Sequence, residues 1–159
     1  FLPFEDILEI LGGAEKVVVS IYMRVVGDCP GHLFFMIERS GAKQLLRHFA
    51  GIQVLDDEYS EMEISALCEI GNILAGSYLS SLADFTRLWM TTSVPSITED
   101  MAGAVLSFSL IQYGAMGDQA LLIDTDLYAG RRQVEGHFFL VPDPGAFDVL
   151  FKALGVPLE

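Results

Sequence analysis

The stretch SEMEISALCEIGNILAGSYLSSLADFT, residues 60–86, decides how the rest of the chain is read. Ser60 followed by Glu63 fits a capping box, in which the Ser60 hydroxyl accepts from the Glu63 backbone and Glu63 reaches back. Ile64, Leu67, Gly71, Leu74, Tyr78, Leu82 and Phe85 then recur at spacings of three and four. That is the apolar stripe of one long helix, running to about Thr86. At about 100° per residue, Ser65, Glu69 and Asn72 fall roughly opposite the centre of that stripe. A hydroxyl, a carboxylate and a carboxamide therefore share the accessible face. Small Gly76 and Ala83 continue it, and an open position there lets a partner approach. Gly71 lies within the apolar stripe, where close packing on a sheet is its expected reason.

Outward from the helix, Lys16–Val26 is β-branched and partly alternating and reads as a strand. Residues 27–31, GDCPG, form a turn, and His32–Glu38 pairs back as a hairpin strand. Ser40 can cap a short helix through about Ala50, stopped by Gly51. After a loop containing Pro95, the segments Ala104–Tyr113, Gln119–Tyr128 and Val134–Val141 read as three strands. Residues 142–145, PDPG, make a turn, and Ala146–Leu154 a short helix closed by Gly155. Phe85 and Trp89, at the end of the long helix, are expected in the core.

The two halves repeat. Gly31-His32-Leu-Phe34 and Gly136-His137-Phe-Phe139 open equivalent strands, 105 residues apart. The strand, turn and short helix that stop at Gly51 recur up to Gly155. His32 and His137 are thus read as structural residues. The expected fold is α+β: one pseudo-twofold duplicated domain over 1–159. Its central, mostly antiparallel sheet is packed by a long helix and short helices. An incomplete first repeat spans about 1–55 and a complete second repeat about 56–159. Pro3 is matched with Pro95, so a first copy of the long helix is expected upstream of Phe1. The sheet face it would cover is expected to form a homodimer, a swapped helix or a poorly soluble surface.

Composition narrows the function. With 52% hydrophobic residues the chain can bury a sizeable core. Its net charge of −13 repels phosphate backbones and anionic lipid, so neither nucleic acid nor a membrane is an expected partner. No apolar run approaches the roughly 18 residues that span a bilayer. Two cysteines, Cys29 and Cys68, are too few for a disulfide framework, and Cys68 reads as a small buried hydrophobe. The compartment is expected to be reducing and cytoplasmic. The three histidines, His32, His48 and His137, include no pair at metal-ligand spacing on one helix.

Ser65, Glu69, Asn72 and Pro95 together resemble the CheC family of chemotaxis phosphatases. That family's pattern is Asp or Ser, three residues, Glu, two residues, Asn, and Pro after twenty-two more; every spacing is met here. The residues from Glu69 to Phe85 are also similar to the family's second repeat. The resemblance implies dephosphorylation of the aspartyl phosphate of a CheY-type response regulator. Asn72 would orient the attacking water, because an amide both donates and accepts but is a poor base. Glu69 would pair with the regulator's lysine and fix the docking register. Ser65 would support the Glu69 side chain or the helix's hydration, with Gly76 and Pro95 as supporting motif positions. No cofactor of the chain's own is implied; Mg²⁺ would sit on the regulator. The duplicated fold also resembles the middle domain of flagellar switch proteins. A non-catalytic binding module for a regulator, for the deamidase CheD or for a flagellar switch component is therefore the alternative.

Overall fold

The computed structural model describes residues 2–54, 58–112, 119–129 and 132–155. Along the chain run β1 (Leu2–Pro3), α1 (Phe4–Ile10), β2 (Val17–Gly27), β3 (Gly31–Glu38), α2 (Arg39–Ala50) and α3 (Glu61–Thr86). They are followed by β4 (Met90–Thr92), β5 (Ser96–Met101), α4 (Ala102–Gln112), β6 (Gln119–Ala129), β7 (Arg132–Pro142) and α5 (Phe147–Ala153). The described strands form one antiparallel sheet in the order β1-β6-β7-β3-β2-β4, with β5 also paired to β2.

The register of the central pair makes the twofold visible. Phe34 of β3 lies opposite Phe139 of β7, with His32 opposite Val141 and Met36 opposite His137. Phe34 and Phe139 are 105 residues apart, the same offset that separates His32 from His137. A pseudo-twofold axis therefore passes through the Phe34–Phe139 pair. Around it β2 matches β6, and β1 running into α1 matches β5 running into α4. Pro3 is thus equivalent to Met101, each ending a strand where a helix begins. The match of Pro3 with Pro95 is corrected accordingly.

β3 alternates between two cores because successive side chains point to opposite faces. Leu33, Phe35 and Ile37 join Ile21, Phe138 and Leu140 beneath α2, α3 and α5. Phe34 and Met36 join Val18, Phe139 and Val141 beneath α1 and α4. On the first face Phe35 stacks on Phe138 with ring centroids 4.7 Å apart, and Tyr78 of α3 meets Phe138 at 4.9 Å. Gly71 is required by this packing. A Cβ there would stand 2.8 Å from Ile21 Cδ1 and 3.0 Å from Ile21 Cγ2.

Several sequence expectations change. The strand read over Ala104–Tyr113 is instead helix α4, Ala102–Gln112, with Tyr113 outside the described residues. The run is apolar on every side because Val105 and Leu106 are buried against the sheet, so no period distinguished helix from strand. Its Ala, Leu and Ser content, with few β-branched residues, favours the helix. The Pro95 loop contains β4 and β5, and β5 pairs with β2 from Val17 to Tyr22. Ser40 is not a cap; the N-cap of α2 is Glu38. Phe85 and Trp89 are 70% and 63% exposed rather than core. Cys68 is only half-buried. No described helix is long and apolar enough to cross a membrane.

Candidate functional site

Both ends of α3 are fixed locally. The Glu63 amide donates to Ser60 Oγ at 3.2 Å and the Ser60 amide to Glu63 Oε1 at 2.7 Å, completing the capping box. At the far end Arg87 adopts a left-handed conformation, φ 63°, and its amide closes on the Ala83 carbonyl at 2.7 Å. Between these stops Leu67, Gly71, Ala75 and Leu79 are buried on the sheet. The opposite face is left outward. Ser65, Glu69 and Gly76 are exposed and Asn72 is partly exposed.

Among the described residues, neither the Glu69 nor the Asn72 side chain makes a hydrogen bond or ion pair. Both are available to a partner. Nothing lies within 4 Å of where a Cβ on Gly76 would stand, so the surface stays low beside Asn72. Pro95 is half-buried in the connection between β4 and β5. An exposed carboxylate can hold a cation, and an exposed amide can both donate to and accept from a water. The Ser65 hydroxyl on the same face bonds to no base among the described residues, so what this pair can do chemically is position reactants.

Two hollows flank this face. One, of about 340 Å³, is lined by Phe49 and Ala50 of α2 and by Ala66, Ile70, Ile73 and Leu74 of α3, with Glu69 its only charged member among the described residues. The other, about 380 Å³, runs past Gly76, Ser80 and Asp84 to Trp89 and Thr92. Sequence reasoning missed Phe49 and placed Trp89 inside. An aromatic at the last turn of a short helix gives no signal of exposure by itself.

A second polar cluster lies where the β2–β3 turn meets the end of β7. Arg24 grips Asp143 with two hydrogen bonds, Nη1 to Oδ1 at 2.8 Å and Nη2 to Oδ2 at 2.6 Å, and Nη1 also donates to the Gly31 carbonyl at 2.9 Å. The buried His32 ring lies with Nε2 3.1 Å from Arg24 Nη1 and 3.3 Å from Asp143 Oδ1, and with Nδ1 2.8 Å from the Tyr22 hydroxyl. Burial, then Arg24, push the His32 pKa down; Asp143, 3.3 Å from Nε2, pulls the other way and loses. The hydrogen bonds from Arg24 hold Asp143 below its usual range against a smaller opposing effect of burial. Every group here is spent on another, so the cluster ties strands together. Nearby Cys29 is fully buried, and its thiol is pushed up to about 11 by burial and then by Asp143. It is no nucleophile at neutral pH. No set of three or more His, Cys, Asp or Glu among the described residues could hold a metal ion.

Comparison with known proteins adds to this geometry. The pattern of the CheC-like family matches residues 62–99, which take in α3 and its outer face. The chain is 40% identical to the CheY-P phosphatase CheC of Bacillus subtilis, over 99% of this chain and 78% of that protein. It is 26% identical to a putative CheY-P phosphatase, CheC1, of Halobacterium salinarum, over 96% of this chain and 77% of that one. Among solved structures it is similar to Thermotoga maritima FliY, with a TM-score of 0.70 at 12% identity, covering 97% of this chain and 77% of that one. At that identity the likeness is one of fold.

Proposed function

The chain belongs to the CheC-like family, and from that premise we propose that it hydrolyses the aspartyl phosphate of a CheY-type response regulator. The observation that carries this reading is the outward, unpaired Glu69 and Asn72 on a helix anchored at both ends. The relative with 40% identity acts, by its name, on that substrate.

In this mechanism water attacks the phosphorus and the bond from phosphorus to the aspartyl oxygen breaks. Inorganic phosphate and a free carboxylate leave, and the proton given up by the water passes to phosphate or solvent. Such a transition state asks mainly for alignment and charge stabilisation. Mg²⁺ and a lysine on the regulator supply the charge. Asn72 supplies alignment: its carbonyl accepts from the water, which fixes the oxygen in line with the scissile bond. Its amide cannot take the proton, so its contribution is orientation. Glu69, one helical turn away, pairs with the regulator's lysine and sets the register in which Asn72 meets the phosphoryl group. Ser65 lies one turn earlier on the same face and supports the Glu69 side chain. Gly76 keeps the approach open.

The test is phosphate release from phosphorylated CheY. Substituting Asn72 by Ala is expected to lower kcat about 100-fold or more with little change in KM, the signature of an interaction made in the transition state. An unchanged rate would remove Asn72 from the mechanism.

A further inference from the structure

Resting on the phosphatase reading, we propose that the hollow between the end of α2 and the middle of α3 is a specificity pocket for the regulator. Its occupant is an apolar side chain that flanks the lysine on the phosphorylated receiver surface.

Phe49 and Ile73 are 57% and 62% exposed, on opposite walls of this hollow. Large apolar side chains gathered on one surface mark interaction sites more often than isolated ones do. Phe49 is not loose: its ring meets His48 edge-on with centroids 4.7 Å apart. Ala66, Ile70 and Leu74 make an apolar floor, and Ala50 widens the mouth by lacking a side chain of any length. The space, about 340 Å³, admits a large aliphatic or aromatic group.

The charge pattern selects the partner. Glu69 is the only charged residue lining the hollow among the described residues. Whatever fills it brings its neighbouring surface onto that carboxylate. A second copy of this chain, with net charge −13, would bring like charge there. An anionic small molecule meets the same repulsion. A protein surface with a cation beside an apolar side chain satisfies both halves, and a phosphorylated receiver carries such a lysine in the proposed mechanism. The pocket then works in binding: it holds the regulator while Asn72, on the far side of Glu69, aligns the water.

The experiment measures KM and kcat for phosphate release from CheY phosphorylated with acetyl phosphate and Mg²⁺. Phe49→Ala and Ile73→Ala, on different helices and both at the surface, are each expected to raise KM about tenfold, as a central apolar anchor does. Each should keep kcat within about twofold. Asn72→Ala is the contrast, with kcat lost and KM kept. If both apolar variants keep the wild-type KM while Asn72→Ala is inactive, the pocket assignment is overturned and the phosphatase reading stands. If the wild-type chain releases no phosphate, both fall. Sedimentation of the wild type and Phe49→Ala supplies the remaining arm. A dimer that Phe49→Ala dissociates would give the pocket to a second copy and overturn the proposal.

Discussion

Arg24, His32 and Asp143 hold one another through hydrogen bonds of 2.6–3.1 Å, whereas Glu69 and Asn72 project from α3 without a bond to any described residue. Both groups are polar; Arg24 and His32 stand on β2 and β3 with Asp143 just past β7, and Glu69 and Asn72 stand on α3. The first sits where three chain segments converge, so its charges meet and neutralise. The second sits on the outer face of α3, away from the sheet that buries Leu67, Gly71, Ala75 and Leu79. The contrast separates two uses of polarity. A satisfied cluster adds stability and shape; a pair left outward on a helix that is otherwise well packed is free to meet a partner. Shifted pKa values draw attention to the first group, a latch in which Arg24, His32 and Asp143 are all displaced from their ordinary values.

The contrast breaks most visibly at Glu69. Reversing its charge, Glu69→Lys, is expected to raise KM for phosphorylated CheY about 100-fold, because the variant meets the regulator's lysine with like charge. The thermal midpoint should stay within about a degree, since the side chain is exposed and unbonded. A large fall in the midpoint would mean that Glu69 belongs to the fold.

At the latch the expected result is the reverse. Asp143→Ala leaves the Arg24 guanidinium without its carboxylate acceptor and should cost roughly 2 kcal/mol in denaturant unfolding. It should leave kcat for phosphate release unchanged. Loss of activity in a stable, folded Asp143→Ala protein would join the two regions that the account keeps apart.

Two glycines sharpen the same line along α3. Gly71→Val forces two further carbons toward Ile21 and should destabilise by about 1–3 kcal/mol, the usual cost of overpacking. Gly76→Ala meets nothing and should stabilise by about 1 kcal/mol through helix propensity. The added methyl would raise KM. Unfolding curves and the phosphatase assay on these two variants read both effects.

Acid gives the smallest effect, and its sign follows from the latch. His32 has a lowered pKa when folded, so the unfolded chain takes up its proton first as pH falls below about 6.5, and stability declines there. Asp143 is also held low, so its contribution is present above its ordinary 3.8 and is lost as pH falls below that. Unfolding midpoints measured across pH 7.5 to 2.5 should therefore drop, and His32→Gln should flatten the upper part of the decline.

Much of this was legible from the residues. The capping box at Ser60 and Glu63, the packing role of Gly71 and the Gly-His repeat are strong local signals, and each appears in the structure. The β3–β7 register even preserves the 105-residue offset. Legibility failed where burial removes periodicity. α4 is apolar all round and looked like a strand. β5, SITEDM, is polar and half-exposed, and only its pairing with β2 makes it a strand. Exposure of Phe49, Phe85 and Trp89 depends on which elements cover them, which no local pattern states. The outer face of α3 was readable because a helical wheel needs only the residues of the helix itself. The hollow beside it needed α2.

The most direct measurement is the rate of phosphate release from phosphorylated CheY by the wild-type chain and by Asn72→Ala, with unfolding of both proteins followed in parallel. The account predicts hydrolysis by the wild type, a loss of about 100-fold or more in kcat for Asn72→Ala, and coincident unfolding curves. Equal rates in the two proteins would contradict it. So would a wild-type chain that retains CheY in pull-downs and releases no phosphate, the behaviour of a binding module.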